Sequence, residues 1–153
     1  MSSSLNTQQL TAWRSFLRAH ARIVAKLEQE LDDEHRLQLT WYEVLLLLRE
    51  APGGRLRMHE LAESRLLSRS AATRLVDRME AASLVERETS AHDRRGTFVG
   101  LTADGLAALR RTAPVHLRGI EEHFARHLSD EETEIVAETM ARLAANLAKP
   151  ERK

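Results

Sequence analysis

The segment over residues 68–82 holds the side chains best suited to chemistry, namely three hydroxyls and three guanidiniums. Projected at about 100° per residue, its apolar side chains gather on one side of a helix and its polar ones on the other. A guanidinium can bind O6 and N7 of a guanine together, whereas hydroxyls can bind bases or phosphates. The small residues Ser70 and Ala71 would let this helix approach a groove floor closely. The pattern predicts a helix that reads the major groove of duplex DNA.

A second basic element follows in the loop over residues 90–96, which joins two short segments of β-branched and apolar residues. A role in stabilising the fold does not explain Arg94 and Arg95 well, because exposed ion pairs contribute only about 0–1 kcal/mol of stability. They suit insertion into a narrow minor groove or a grip on phosphates. Asp93 is expected to orient one of these guanidiniums, since a carboxylate that faced DNA would be repelled.

The helix and the loop together define the predicted DNA-contacting residues. Taken alone, the polar side of the helix is explained equally well as an ordinary charged face exposed to solvent. The adjoining loop with its arginines favours DNA binding over that alternative. The full predicted set is Ser68, Arg69, Ser70, Ala71, Thr73, Arg74, Arg78, Arg94 and Arg95. Within it, Ser70, Thr73 and Arg74 are assigned to bases or phosphates, and the other arginines, apart from Arg95, to phosphates.

These residues need a scaffold, and the composition favours a mainly helical one. Among the 153 residues, Gly (6) and Pro (3) are scarce, while Leu, Ala, Glu and Arg are frequent. Apolar spacings of three and four residues predict helices over residues 7–33, 40–50, 57–64, 68–82, 102–127 and 129–147. Short β-branched and apolar segments over residues 84–89 and 97–101 predict a hairpin. The expected order is α-α-α-α-β-β-α-α.

Local signals mark where several of these helices should begin. Ser68 is a natural N-cap for the DNA-reading helix. We expect two capping boxes. In a capping box, a hydroxyl and a carboxylate three residues later each accept a hydrogen bond from the other residue's backbone amide. One pairs Thr40 with Glu43 and the other pairs Ser129 with Glu132.

Charge and composition exclude several classes of protein. The 23 basic and 23 acidic residues cancel, yet residues 55–78 carry six arginines against three carboxylates, and residues 120–148 carry two against seven. A basic middle and an acidic end fit a chain that touches phosphates only in the middle. The absence of cysteine excludes disulfides, thiolate metal sites and cysteine redox sensing. No phosphate-binding Gly-rich loop or catalytic motif appears, so neither an enzyme nor a cofactor is expected.

Location follows from the same composition. No apolar run approaches the roughly 18 residues that a membrane span needs. The polar start of the chain lacks the apolar core of a signal peptide. We therefore expect a cytoplasmic protein without a membrane partner.

Taken in order, these segments resemble the MarR (multiple antibiotic resistance regulator) family of winged-helix transcription regulators over nearly the whole chain. The segments that carry the resemblance span residues 39–45, 61–62, 68–87, 92–96 and 101–106. They include the patterns Thr-Arg-Leu-Val-Asp-Arg-Met-Glu, His-Asp-Arg-Arg-Gly and Leu-Thr-Ala-Asp-Gly-Leu. One departure is Ser83, where relatives usually place the glycine that suits a left-handed helix end. An altered or strained end of the DNA-reading helix is therefore expected.

The resemblance implies a single MarR-like domain, with a winged helix-turn-helix core over about residues 36–102. Dimerisation helices over about residues 5–34 and 103–148 would flank this core. It implies a homodimer on a pseudo-palindromic operator, acting as a repressor, with Arg95 in the minor groove. The terminal helices independently favour a dimer, because they carry more large apolar residues than a small winged core can cover. These residues are Trp13, Phe16, Leu17, Val24, Leu27, Phe124, Leu128, Val136, Met140, Leu143 and Leu147.

The resemblance also implies a small-molecule effector, aromatic or acidic, that binds between the dimer helices and the winged core and releases DNA. The candidate ligand pocket consists of Trp13, Arg14, His20, Trp41 and Tyr42. Arg14 would pair with an anion, and the rings would stack on the ligand. The alternative is that Trp13 and Trp41 pack in the core or dimer and that Arg14 is solvated.

Three histidines, His116, His123 and His127, are spaced to share one face of the helix predicted over residues 102–127. Such spacing could hold a metal, but zinc-sensing relatives place their ligands nearer the wing end, so no metal site is predicted. Pro114 should kink or break this helix just before them. A zinc-responsive regulator and a dimeric winged-helix protein-interaction adaptor are the alternatives to the ligand-released DNA-binding regulator.

Overall fold

A computed structural model describes residues 4–89 and 96–148. In these ranges the chain forms six α-helices and three β-strands. The helices are α1 (Thr7–His35), α2 (Leu39–Glu50), α3 (Met58–Ser64), α4 (Arg69–Ala81), α5 (Ala103–His123) and α6 (Asp130–Leu147). The strands are β1 (Arg55–Arg57), β2 (Val85–Glu88) and β3 (Phe98–Leu101). The order agrees with the expected one except for β1, which was not expected.

The described chain divides into two compact units. Residues 27–116, here the winged unit, contain α2 to α4, the strands and the adjoining parts of α1 and α5. The described residues before 27 and after 116 form the terminal unit. The winged unit has a largely apolar core, in which the largest fully buried side chains include Leu31, Leu45, Leu48, Leu61, Met79 and Leu109. No helix in the described ranges is long and apolar enough to cross a bilayer.

The sheet is antiparallel, with β3 in the centre between β1 and β2. Val99 lies opposite Leu56 on one side and Arg87 on the other. Gly53 and Gly54 adopt φ values of 69° and 70°, which turn the chain from α2 into β1. No local pattern indicates a strand at β1, because Arg55-Leu-Arg57 contains no β-branched residue and pairs with a strand more than forty residues later.

The ends of α4 follow the local signals. Ser68 caps the start, since its Oγ accepts a hydrogen bond from the Ala71 amide at 3.2 Å. At the other end Ser83 has φ 62°, and the amides of Ser83 and Leu84 donate to the carbonyls of Glu80 and Met79. This is the closure in which glycine is favoured. The expected departure at Ser83 is confirmed as a serine in a left-handed conformation.

The end of α4 abuts the start of α5. The Thr102 hydroxyl donates to the Ser83 carbonyl at 2.7 Å and accepts from the Gly105 amide at 2.9 Å. A Cβ on Gly105 would lie 2.0 Å from the Leu84 carbonyl oxygen, so only glycine allows this approach. The two helices are therefore joined by short backbone contacts rather than by a flexible linker.

The two expected capping boxes have different outcomes. The box at the start of α6 is confirmed, because Glu132 and Ser129 exchange hydrogen bonds of 2.9 and 3.2 Å. The box of Thr40 with Glu43 is wrong, since α2 begins at Leu39 and the Glu43 carboxylate pairs with Arg65 instead. A charged guanidinium is a stronger partner for a carboxylate than a backbone amide is.

The structure also corrects the histidine-bearing helix. Pro114 lies inside α5, which continues without a break, and α5 ends at His123 rather than at residue 127. Phe124 leaves the helical region at φ −133° and ψ −67°, and His127 belongs to a short 3₁₀ helix. The expectation that His127 shares one helix face with His116 and His123 is therefore wrong.

The terminal unit leaves a set of large apolar side chains uncovered in the single chain. They are 39–83% exposed: Leu5, Trp13, Phe16, Leu17, Leu117, Phe124, Ile135, Met140, Leu143 and Leu147. The helix α6 buries none of its residues. The exposure of so many large apolar side chains in one unit favours a partner that covers them.

Candidate nucleic-acid interface

The helix α4 has one buried face and one exposed face, as the sequence predicted. Ala72, Leu75, Val76 and Met79 are buried in the core of the winged unit. The opposite face exposes the polar side chains of Ser70, Thr73, Arg74, Asp77 and Arg78. Because the buried face fixes the rotation of the helix, these polar groups are presented outward together.

The hydroxyls near the start of α4 are already partly engaged. The Thr73 hydroxyl donates to the Arg69 carbonyl at 2.9 Å, so its free lone pairs can only accept further hydrogen bonds in this rotamer. The Ser68 and Ser70 hydroxyls lie 3.3 Å apart. Ser70 is the exposed member of the helix proper and can donate or accept toward a ligand.

The three arginines of α4 are available for a ligand. Arg69, Arg74 and Arg78 are exposed, and none of them forms a salt bridge with another residue of the described ranges. Unpaired guanidiniums on a rigid helix suit phosphates and guanine edges. An open cleft of about 590 Å³ runs along this flank and is lined by Thr40, Leu67, Ala71, Arg74, Leu75, Asp77 and Arg78.

A residue that the sequence reasoning did not single out organises the other flank. The Arg87 side chain, from β2, donates to Asp77 Oδ1 at 2.6 Å and to Glu80 Oε1 at 3.1 Å. Its backbone amide donates to Glu80 Oε2 at 2.8 Å. A further contact joins Nη2 to the Thr73 carbonyl at 3.4 Å. No spacing rule links a strand residue to an earlier helix, so the sequence carried no signal for this cluster.

The turn before α4 is fixed by an ion pair. Arg65 follows α3 and pairs with Glu43 of α2, and both side chains are about one-third exposed. The next residue, Leu66, has φ 53° and is 94% exposed. The pair links α2 to the turn that sets the direction of α4.

The base of the hairpin is also held by arginines. The guanidiniums of Arg55 and Arg57 lie 4.7 and 4.6 Å from the centre of the Phe98 ring. Arg55 also pairs with Glu88 at 2.7 Å. These contacts tie all three strands together below the loop.

The loop tip itself falls outside the described residues. The predicted minor-groove and phosphate contacts of Arg94 and Arg95, and the orienting role of Asp93, therefore remain predictions. The described part of the chain resumes at Gly96, whose φ of 130° favours glycine.

The candidate ligand residues lie in different units. Trp13, Arg14 and His20 belong to α1 in the terminal unit, where all three are exposed and the Trp13 and Phe16 rings are 6.1 Å apart. Trp41 and Tyr42 belong to the winged unit. Their assignment to one pocket remains a prediction.

In the winged unit Tyr42 packs against His116. Tyr42 is 3% exposed, and the two ring centres are 4.5 Å apart. Burial raises the pKa of Tyr42 and lowers the pKa of His116, although the Glu43 carboxylate partly opposes the shift of His116. Trp41 Nε1 and His116 Nδ1 are buried without a hydrogen-bond partner among the described residues.

Comparison with known proteins decides the family. A family model described as MarR family matches residues 37–96. AbsC, a MarR family transcriptional regulator from Streptomyces coelicolor, is 34% identical over 95% of this chain and 98% of its own, with a TM-score of 0.88. The chain belongs to the MarR family. The resemblance and the winged-helix fold class expected from the sequence are thereby confirmed.

Two further MarR-family structures are informative. Sco3205 from Streptomyces coelicolor, a MarR family transcriptional regulator solved in complex with DNA, is 32% identical over 97% of this chain and 94% of its own, with a TM-score of 0.89. A mutant of MarR from E. coli, complexed with operator DNA, is 20% identical over 92% of this chain and 99% of its own, with a TM-score of 0.78. The likeness to that second protein shows the fold alone. No curated protein matches the sequence.

Proposed function

We propose that this chain is a DNA-binding transcriptional regulator that acts as a repressor from a pseudo-palindromic operator. The observation that carries the proposal is the exposed face of α4, where Arg69, Arg74 and Arg78 have no ion-pair partner among the described residues. The DNA complex of the related Sco3205 supports it. The lack of a catalytic motif in the sequence is consistent with a protein that regulates rather than catalyses.

The proposed active species is a homodimer built from the terminal helices. The exposed apolar residues of the terminal unit support this, because water contact with so many large side chains is unfavourable. A two-fold axis would then set the two α4 helices about 34 Å apart, one turn of B-form DNA. We keep the winged core at about residues 36–102 and the dimerisation helices at about 5–34 and 103–148 as part of the proposal.

Within the complex we assign Arg74 to a base edge, with Ser70 and Thr73 at bases or phosphates. Arg69, Arg78 and Arg94 bind phosphates, and Arg95 enters the minor groove. The length of a guanidinium and its two parallel donors favour guanine for Arg74. We place the protein in the cytoplasm, where its operator is.

Control by a small aromatic or acidic molecule is also part of the proposal. In the winged unit it is supported by two ring nitrogens, Trp41 Nε1 and His116 Nδ1, that are buried and lack partners in the described structure. The Trp41 Nε1–H is a donor, and a buried donor without a partner is costly, so an oxygen of a ligand would satisfy it. His116 Nδ1 would donate or accept according to the tautomer of the ring. The other candidate residues, Trp13, Arg14 and His20, remain in the proposal on the resemblance alone.

The test is selection of bound fragments from genomic DNA by the purified protein, followed by binding to the selected duplex at several salt concentrations. We expect an inverted repeat whose half-site centres lie about 10 base pairs apart and a binding constant that falls steeply with salt. Binding to no duplex at low salt would overturn the proposal and favour the protein-interaction adaptor. A selected site without two-fold symmetry would overturn the dimer geometry.

A further inference from the structure

The helix proposed to read DNA carries two carboxylates as well as three arginines. Asp77 and Glu80 both lie in α4, and their side chains are 58% and 41% exposed. A carboxylate close to DNA is repelled by phosphates, and this repulsion acts over several ångströms in water. A DNA-reading helix with this composition therefore needs a counter-charge that does not use up the arginines meant for DNA.

The counter-charge comes from the neighbouring strand. In the described structure the ion pairs of Asp77 and Glu80 are both with Arg87 of β2, at 2.6 and 3.1 Å. The Arg87 side chain is only 24% exposed, and its backbone amide also binds Glu80 at 2.8 Å. The guanidinium thus bridges the two carboxylates, with Nη2 on Asp77 and Nη1 on Glu80, and these charge-assisted contacts hold it in one place.

We propose that Arg87 masks the two carboxylates of α4 and thereby keeps the reading surface cationic. Three arginines and two carboxylates give α4 a formal charge of +1, and Arg87 raises the local charge to +2. Because Arg87 is supplied by β2, Arg74 and Arg78 stay free for DNA. Arg87 is thus a positioning residue that acts through Asp77 and Glu80, and this inference rests on the proposed function.

The mask also has a consequence for base recognition. A free aspartate in the major groove could accept a hydrogen bond from the N4 amino group of cytosine. Here the Asp77 Oδ1 atom is already bound by Arg87 at 2.6 Å. The Arg87 contact leaves only Asp77 Oδ2 to accept a hydrogen bond from a base, and we assign Asp77 to Arg87 rather than to base recognition.

The test compares four variants for binding to the duplex selected by the wild-type protein, with fluorescence anisotropy at 100 and 300 mM salt. R87Q removes the charge, and R87K keeps the charge but loses the pair of nitrogens that bridges Asp77 and Glu80. R87Q/D77N/E80Q removes the charge together with both carboxylates. The matched control is R55Q, because Arg55 forms an ion pair of similar length with Glu88 of β2, at 2.7 Å. In the described ranges Arg55 forms no hydrogen bond or ion pair with α4. Circular dichroism and gel filtration establish that each variant is folded.

Charge masking predicts a specific order of affinities. We expect R87Q to bind about tenfold more weakly at 100 mM salt, and the loss to shrink at 300 mM, where screening is stronger. R87K and the triple variant should stay within about threefold of the wild type, because neither leaves an uncompensated carboxylate. The triple variant removes the unpaired charges, so it also provides a readout if R87Q fails to fold.

Two results would overturn the proposal. A loss in R87K and in the triple variant as large as in R87Q, unchanged by salt, would mean that Arg87 acts as a mechanical brace. A loss in R55Q equal to that in R87Q would mean that any arginine of the sheet matters equally. Failure of the wild-type protein to select or bind any duplex would instead count against the proposed function, so the two failures are distinguishable.

Discussion

Ser83 offers a direct test of how the end of α4 is built. Its φ of 62° places a serine in the left-handed region that favours glycine. That conformation costs a residue with a Cβ about 1–2 kcal/mol, whereas introducing glycine adds freedom to the unfolded chain worth about 0.4–1 kcal/mol. We therefore expect Ser83→Gly to raise the free energy of unfolding by about 0.5–1 kcal/mol, the difference between these terms.

The measurement is urea denaturation followed by far-ultraviolet circular dichroism. One fixed protein concentration is used, because the proposed dimer would unfold in a concentration-dependent way. A gain of this size corresponds to a rise in Tm of about 1–4 °C for a chain of this length. Ser83→Ala is the matched control, since alanine keeps the Cβ and the strain, and it should not stabilise the protein. The backbone carbonyl that Thr102 binds at 2.7 Å is present in every variant. A Ser83→Gly protein no more stable than the wild type would refute the claim of backbone strain.

Four other changes have expected outcomes. Gly105→Ala should destabilise the fold by about 1–3 kcal/mol, because the new Cβ would lie 2.0 Å from the Leu84 carbonyl oxygen. Gly100→Ala is the control in the same denaturation assay and should cost little, because its Cβ would lie 3.7 Å from the nearest heavy atom, in the Glu88 side chain. Arg74→Ala should weaken operator binding by about 1–3 kcal/mol and blur base preference; an equal loss on all duplexes would show a phosphate contact. Arg95→Ala should weaken operator binding by about 1–3 kcal/mol and leave the melting curve and gel-filtration volume unchanged. If operator binding at matched salt does not weaken, the assignment of Arg95 to the minor groove is wrong. Burial lowers the pKa of His116, so as the pH falls the unfolded state is protonated before the folded state. The free energy of unfolding should therefore fall as the pH drops below about 6.5. His116→Gln should flatten that pH dependence in denaturation curves.

The features predicted correctly from the sequence are those with a local cause. The rotation of α4 followed from the spacing of its apolar residues, and the caps at Ser68 and Ser129 followed from hydroxyls that reach an amide three residues away. Ser83 was expected to be unusual because relatives usually place a glycine there, and the left-handed conformation that glycine suits is a property of one residue. In each case the physical interaction is contained in a window of a few residues.

The features that were missed depend on contacts between distant segments. The Glu43 carboxylate was expected to cap its own helix, but it pairs with Arg65 more than twenty residues later. Arg87 reaches back to α4, and β1 forms only by pairing with β3. The break after His123 occurs at Phe124, with no glycine or proline to mark it. Composition and periodicity do not encode these partners.

The joint between α4 and α5 has a further consequence. Because the Leu84 carbonyl and Gly105 leave no room for even one extra carbon atom, the two helices cannot slide past each other there. A rotation of the beginning of α5 would therefore be transmitted directly to the chain that follows α4. Substitutions in the first turns of α5 are thus expected to change the orientation of the proposed DNA-contacting arginines without replacing any of them.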